Sequence, residues 1–476
     1  MAGLWRGWGY DWAMTQLRSA LSLIALAVIA FGCRARDSGG AVAHRIDLPR
    51  PTPAQLAWQD AEIGVLISYD LHVFDEVHYR QPVNRRTPFP DPDIFRPTEL
   101  DTDQWVRTAK AMGARFAILT ASHETGFRLW QSDANPYCLK AVAWGQGSRD
   151  IVAEFVASCR RYGLQPGIYL GTRWNSRLGV LDFKVTERSP LSQAQYNDLI
   201  EKEVAEICSR YGELFELWFD GGAYGPDRGG PDVLSIYQRY QKHGIFYHNH
   251  ERADVRWGGS ESGRVPYPCW ATMPFDGYSR FNRKLAKDGF ALLKHGDPEG
   301  KVWCPAMSDA PLRHHEWFWD AGDDHKVRPL SSLVDMYYGS VGHNSTLIVG
   351  LTPDRRGLIP DADVKRCREF GVAIARAFAN PLARTSGEGR SLELDLGRMQ
   401  IIDHVVLQED IAEGERVRQY SLEVHDSGGW KPLAEGSCIG HKRIHRFAPR
   451  SADRLRLRIQ SAIAPPLIKA FVAFGP

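Results

Sequence analysis

The sequence predicts an α/β chain, a (β/α)8 TIM-like barrel followed by a small C-terminal β-sandwich. Short apolar runs that end in turn residues recur along the first four-fifths of the chain, with helical patterns between most of them. Beyond residue 390 the helical period disappears, and strand-like runs are separated only by turn residues. Ahead of both, the apolar stretch 19–32 stands apart behind Arg18.

That stretch places residues 1–36 as a signal- or lipoprotein-type export segment. The run is too short for a confident membrane span, and Met14 to Arg18 supplies a basic start. Ala30-Phe31-Gly32-Cys33 resembles a bacterial lipoprotein cleavage box. The mature protein is then either a lipoprotein anchored at Cys33 or plainly exported to the periplasm of a bacterium. Residues 37–53 read as a polar linker, 54–385 as the barrel and 386–476 as the sandwich.

Barrel strands are expected at 63–69, 116–122, 165–171, 214–220, 244–249, 255–259, 302–307 and 345–350. Most read as runs of the kind that a parallel sheet buries on both faces. Helical patterns occupy 101–112, 150–162, 193–211, 231–242 and 330–341, and 361–378 closes the set. The sixth strand is short and 276–300 fits neither period, so distortion is expected there. The sandwich strands are expected at 391–395, 402–407, 419–425, 443–447, 454–459 and 467–473.

A net charge of +2 over 476 residues favours neither nucleic acid nor an anionic membrane surface. The eight cysteines have neither C-x-x-C nor zinc spacing. The 15 tryptophans could face a sugar-binding cleft, but such residues are more often simply core.

The run 213–219 stops on Asp220, and two glycines follow. A carboxylate at the C-terminal tip of a parallel strand stands where barrels build active sites. A second carboxylate, Glu261, follows in Arg256-Trp257-Gly258-Gly259-Ser260-Glu261. Two carboxylates so placed suggest glycoside hydrolysis.

Several blocks carry a resemblance. They are Phe95-Arg96-Pro97 with Asp103-Gln104-Trp105, the segment His123 to Ser132, Leu217 to Gly221, Asp254 to Gly263, and Pro353 to Gly357. Together the chain resembles glycoside hydrolase family 29, the α-L-fucosidase family. The block around Glu261 looks like that of the subgroup specific for 1,3/1,4-linked fucose. The resemblance implies that Asp220 is the nucleophile and Glu261 the general acid/base, about 5–5.5 Å apart in a retaining enzyme. Trp257 and Trp270 would wall the acid. Glu124 and Glu251 are rival acids. It also implies that neither metal nor organic cofactor takes part.

His123 matches the first of two adjacent sugar-binding histidines of that family, but the second position is Glu124. The family's strand-one histidine is replaced within Ser68-Tyr69-Asp70. Tyr69, Asp70, His72 and Glu124 are therefore candidates for new sugar contacts or for plain packing. Trp130 and Trp218 are candidate pocket walls or core residues, and Arg173 and Trp174 face the same mouth. His248, His250 and Glu251 tempt a metal reading, yet a metal needs ligands from about three converging positions. His314, His315 and Glu316 read as a polar loop near the cleft.

The expectation is an exo-acting retaining glycoside hydrolase that removes a terminal α-L-fucosyl or closely related residue from an oligosaccharide or glycoconjugate. The alternatives are a same-fold glycosidase with another glycone, or a catalytically silent carbohydrate-binding protein.

Overall fold

The computed structural model describes residues 47–89, 91–277 and 289–476. The expected export segment with Cys33, most of the linker and the middle of 276–300 lie outside them.

Eight parallel strands form the first sheet: β1 Ile63–Ile67, β2 Phe116–Ser122, β3 Gln165–Leu170, β4 Glu216–Ala223, β5 Ile245–Asn249, β6 Arg256–Trp257, β7 Ala306–Pro311 and β8 Ser345–Leu351. Their order is β5-β4-β3-β2-β1-β8-β7-β6. The sheet curls until its ends nearly meet. Between β5 and β6 the ladder gives way to two bonds: Asp254 N–H donates to Phe246 O, and Phe246 N–H to the Asp254 carboxylate.

The seventh strand corrects the sequence reading. Val302–Trp303 pairs antiparallel with Thr272–Met273 instead of joining the barrel. Pro305, with no N–H to give, separates this ribbon from the true strand. The true strand contains Ser308, Asp309 and Pro311, a composition that reads as loop.

The helices follow their caps. Thr52 and Gln55 form a capping box at α1, Pro53–Ala61, which the sequence reading left largely unassigned. Asp101 caps α2, Thr102–Ala111, and Asp150 caps α3, Ile151–Tyr162, which stops at Gly163 with φ +75°. Ser192 and Gln195 box α4, Gln193–Arg210.

Period-two alternation divides the strand residues between two cores. Val65, Ala117, Ile168, Leu217 and Leu347 pack outward in the helix-covered core. Leu66, Ile118, Tyr169, Trp218, Met307 and Ile348 pack inward. Helix α1 adds Trp58 to this inner core, where its indole N–H donates to buried Glu216 over 2.9 Å. Burial pushes the Glu216 carboxyl up to about 8.

After residue 382 the chain forms one six-stranded antiparallel sheet: β9 Ala383–Glu388, β10 Ser391–Glu409, β11 Val417–Asp426, β12 Gly429–Gly436, β13 Arg443–Ala462 and β14 Leu467–Phe474. The strands expected at 391–395 and 402–407 are a single strand with register shifts between Asp395 and Gln400 and between Ile402 and His404. Both of its halves feed one core, with Leu394, Leu396, Ile402, Val405 and Leu407 buried together. The sheet also grips the barrel loop beyond β6. Ser437 and Cys438 N–H donate to the Tyr267 hydroxyl, which donates to Cys438 O. The Glu415 carboxylate accepts from Ala271 N–H and from Asn344.

Candidate active site

The inward core residues are the floor of a pocket. Two positions past Leu66, Ile118, Trp218 and Met307 come Ser68, Thr120, Asp220 and Asp309, which the same alternation turns inward at the C-terminal rim. All four line adjoining cavities. The inner one, about 50 Å³, has Leu66, Ser68, Tyr79, Thr120, His123, Tyr169 and Trp317 in its wall. The outer one, about 150 Å³, has Arg85, Tyr247, His248, Trp257 and Leu293. Gln81, Trp218, Asp220, Glu261 and Asp309 line both, so the chambers are two parts of one site.

Asp220 and Glu261 are thus brought together, from the tip of β4 and the loop after β6. Glu261 is exposed and accepts a hydrogen bond from the Trp317 indole over 3.1 Å. Trp257 is beside it, but Trp270 is buried under the Arg418 guanidinium at 4.6 Å and lines neither chamber. Trp317 takes the place expected for it. Trp218 is an apolar floor, its ring 5.6 Å from Tyr169 and 5.2 Å from Tyr247.

A third carboxyl was not foreseen. Asp309 is only 5% exposed and accepts from the Trp257 indole N–H over 2.8 Å. Burial, with Glu261 and Asp220 nearby, raises its pKa well above the ordinary aspartate value.

A family model described as Alpha-L-fucosidase matches residues 58–376. The chain belongs to the α-L-fucosidase family. It is therefore a glycoside hydrolase. A rice (Oryza sativa subsp. japonica) alpha-L-fucosidase 1-like protein is 30% identical over 90% of this chain and 85% of its own length. Alpha-L-fucosidase 1 of Arabidopsis thaliana is 28% identical over 88% and 86%. The crystal structure of an alpha-L-fucosidase-like protein from Bacteroides thetaiotaomicron superposes with a TM-score of 0.88 at 52% identity, covering 90% of this chain and all of that one.

Within this family fold the other candidates separate. His123 lines the inner chamber, stacked on Tyr169 at 5.6 Å, and burial holds its imidazole well below the usual pKa. Glu124 lies behind the wall. Its carboxylate accepts from Arg85 Nε over 2.5 Å and from the Tyr79 hydroxyl over 2.9 Å. It is Arg85 and Tyr79 that reach the chambers. Burial outweighs the pull of Arg85 and brings Glu124 up to about 7. Trp174 does not line either chamber; the Arg85 guanidinium lies 3.4 Å over its ring, and Arg173, paired with Asp182, lies 4.3 Å over it.

Tyr69, Asp70 and Trp130 are not in the lining. Tyr69 packs edge-on against Phe74, Phe95 and Trp105. Asp70 accepts from Leu71 N–H and the Thr125 hydroxyl, and burial pushes it up to about 7. Trp130 is fully buried and donates to Glu206 over 2.8 Å. Each is consumed by the barrel wall rather than by the cavity.

His248 does line the outer chamber, whereas His250 Nε2 lies 2.5 Å from an Asp227 carboxylate oxygen. Ligand atoms of Asp227, His250 and Glu251 lie within 4.8 Å of one another, as do those of Asp70, His72 and His123 and those of His78, Glu316, Asp320 and Asp323. In the last group Lys326 already bonds Glu316 and Asp323. His314 and His315 are exposed.

Gln81, Arg85 and Tyr79 escaped the sequence reading because they stand on an irregular segment with one short helical turn, Gln81–Asn84. No periodicity marks such residues. Asp309 carried a signal: it follows Met307 by two, as Asp220 follows Trp218.

Proposed function

We propose that this family member is an exo-acting, retaining α-L-fucosidase. Asp220 attacks the anomeric carbon to give a glycosyl-enzyme, and Glu261 protonates the departing oxygen and then activates water. The observation that carries this is the presence of Asp220 and Glu261 in both chambers of one rim pocket. A small inner chamber over an aromatic floor suits a single terminal sugar. The outer one, lined by Trp257 and Arg85, suits the leaving group. The proposal extends to 1,3- and 1,4-linked fucose, through the sequence around Glu261, and to export, through the apolar stretch 19–32.

The test is a panel of aryl glycosides with wild type and Asp220→Ala. Turnover of the α-L-fucoside that vanishes in the variant supports the reading. Turnover of another glycoside alone favours a second reading, an altered glycone. That reading is supported by Ser68 in the inner wall and by Glu124 being tied to Arg85 and Tyr79.

A further inference from the structure

Three carboxyl groups share one small pocket, and the double displacement uses two of them. Asp309 is the third. It stands on β7, in register with Ile348 of β8, so the barrel itself fixes its position. It lines both chambers, as Asp220 and Glu261 do. Among the described residues, its one side-chain hydrogen-bond donor is the Trp257 indole. Among the described residues, the charged groups that act on it most are Glu261 and Asp220, and both disfavour a further negative charge. A buried carboxyl beside two others, bonded to a neutral indole and not to a cation among the described residues, keeps its proton. A neutral carboxyl can accept from Trp257 and at the same time donate one hydrogen bond into the cavity.

We infer that Asp309 is a sugar-binding residue that donates a hydrogen bond from its carboxyl group to one hydroxyl of the glycone, at the junction of the two chambers. The inference rests on the fucosidase reading of the same pocket. It gives the third carboxyl a role apart from the attack and the proton transfer assigned to the first two. An ionised carboxylate only accepts, whereas a protonated one can recognise a hydroxyl oxygen beside the nucleophile without adding charge there. Such a contact discriminates strongly, because a glycone lacking that hydroxyl leaves a buried donor unpaired.

The test compares Asp309→Ala and Asp309→Asn with wild type on an aryl α-L-fucoside and on its monodeoxy analogues, folding being checked by circular dichroism. Asp309→Ala is expected to lower kcat/KM on the order of 10²-fold, as for loss of one preorganised donor. Asp309→Asn, a neutral side chain that still donates, is expected to lose about tenfold less. For one monodeoxy analogue, wild type and Asp309→Ala should have the same kcat/KM, which identifies the hydroxyl. A merely structural role would lower all analogues alike. That result, or Asn as damaging as Ala, overturns the inference. If wild type leaves the fucoside untouched, the fucosidase reading fails instead. The three enzymes are then compared on the glycoside that wild type does hydrolyse and, by calorimetry, on the corresponding free sugar. Equal kcat/KM and equal affinity in all three overturn the inference there too.

Discussion

Two sets of carboxyl groups stand at the rim of this barrel, and they differ in what satisfies them. On the β1–β2 side, Asp70 and Glu124 are met by protein: Thr125 and Leu71 for one, Arg85 and Tyr79 for the other. On the β4–β7 side, Asp220, Glu261 and Asp309 face the cavity, with one indole donor for Glu261 and one for Asp309. For Asp220 no side-chain hydrogen bond occurs among the described residues. A buried polar group is costly unless paired. Groups paired by the fold hold the wall, whereas groups left facing the cavity are placed for a ligand. The residue type alone does not separate the two sets; the partners do.

The largest expected effect breaks this comparison if it fails. Asp220→Ala should lower kcat by roughly 10⁴-fold or more, whereas Asp70→Asn should change it by less than about tenfold. Steady-state kinetics on one aryl fucoside decides; equal losses would erase the distinction. Next, Glu261→Ala should cost about 10²–10⁴-fold, and azide should restore turnover of an activated substrate as a glycosyl azide. Rescue of Glu124→Ala or Glu251→Ala in place of Glu261→Ala would move the acid to the other set.

Asp70 sharpens the comparison through pH. Its folded pKa, about 7, is above the unfolded value near 4, so the native state binds more protons between those limits. Its contribution to stability is intact below about pH 4 and is lost as the pH rises through about 7. Asp70→Asn carries no such charge. Its stability relative to wild type should therefore climb between pH 4 and 8, by roughly 4 kcal/mol at most. Denaturant titrations across that range would show a flat difference if Asp70 already ionises freely. The smallest effect concerns Trp130. Trp130→Phe removes one buried hydrogen bond to Glu206 and should cost about 1–2 kcal/mol, with KM unchanged. A raised KM would return Trp130 to the pocket.

The barrel was legible because buried parallel strands are continuous apolar runs, and β1, β2 and β8 fall close to where that pattern ends. Strand β7 was not, since its inward positions carry Asp309 and its neighbours Ser308 and Pro311 read as turn. Asp220 and Glu261 were legible as carboxylates at strand ends with matching motifs. Arg85 and Tyr79 were not. They reach the pocket through the long connection between β1 and β2, where one-dimensional periodicity says nothing about which residue faces inward. Tyr69 and Trp130 show the converse. Both are large, aromatic and adjacent to motif residues, yet burial in the wall is decided by the opposite face of the strand or turn.

The grip of the C-terminal sheet on Tyr267 and Ala271 bears on the enzyme's ancestry. The loop held there also carries Glu261, so the sheet belongs to the scaffold of the acid and cannot be exchanged as an interchangeable module. A gene that lost its last fifth would keep the nucleophile on a rigid strand while its partner swung on an unmoored loop. Selection on catalysis alone would then keep barrel and sheet joined in a single reading frame.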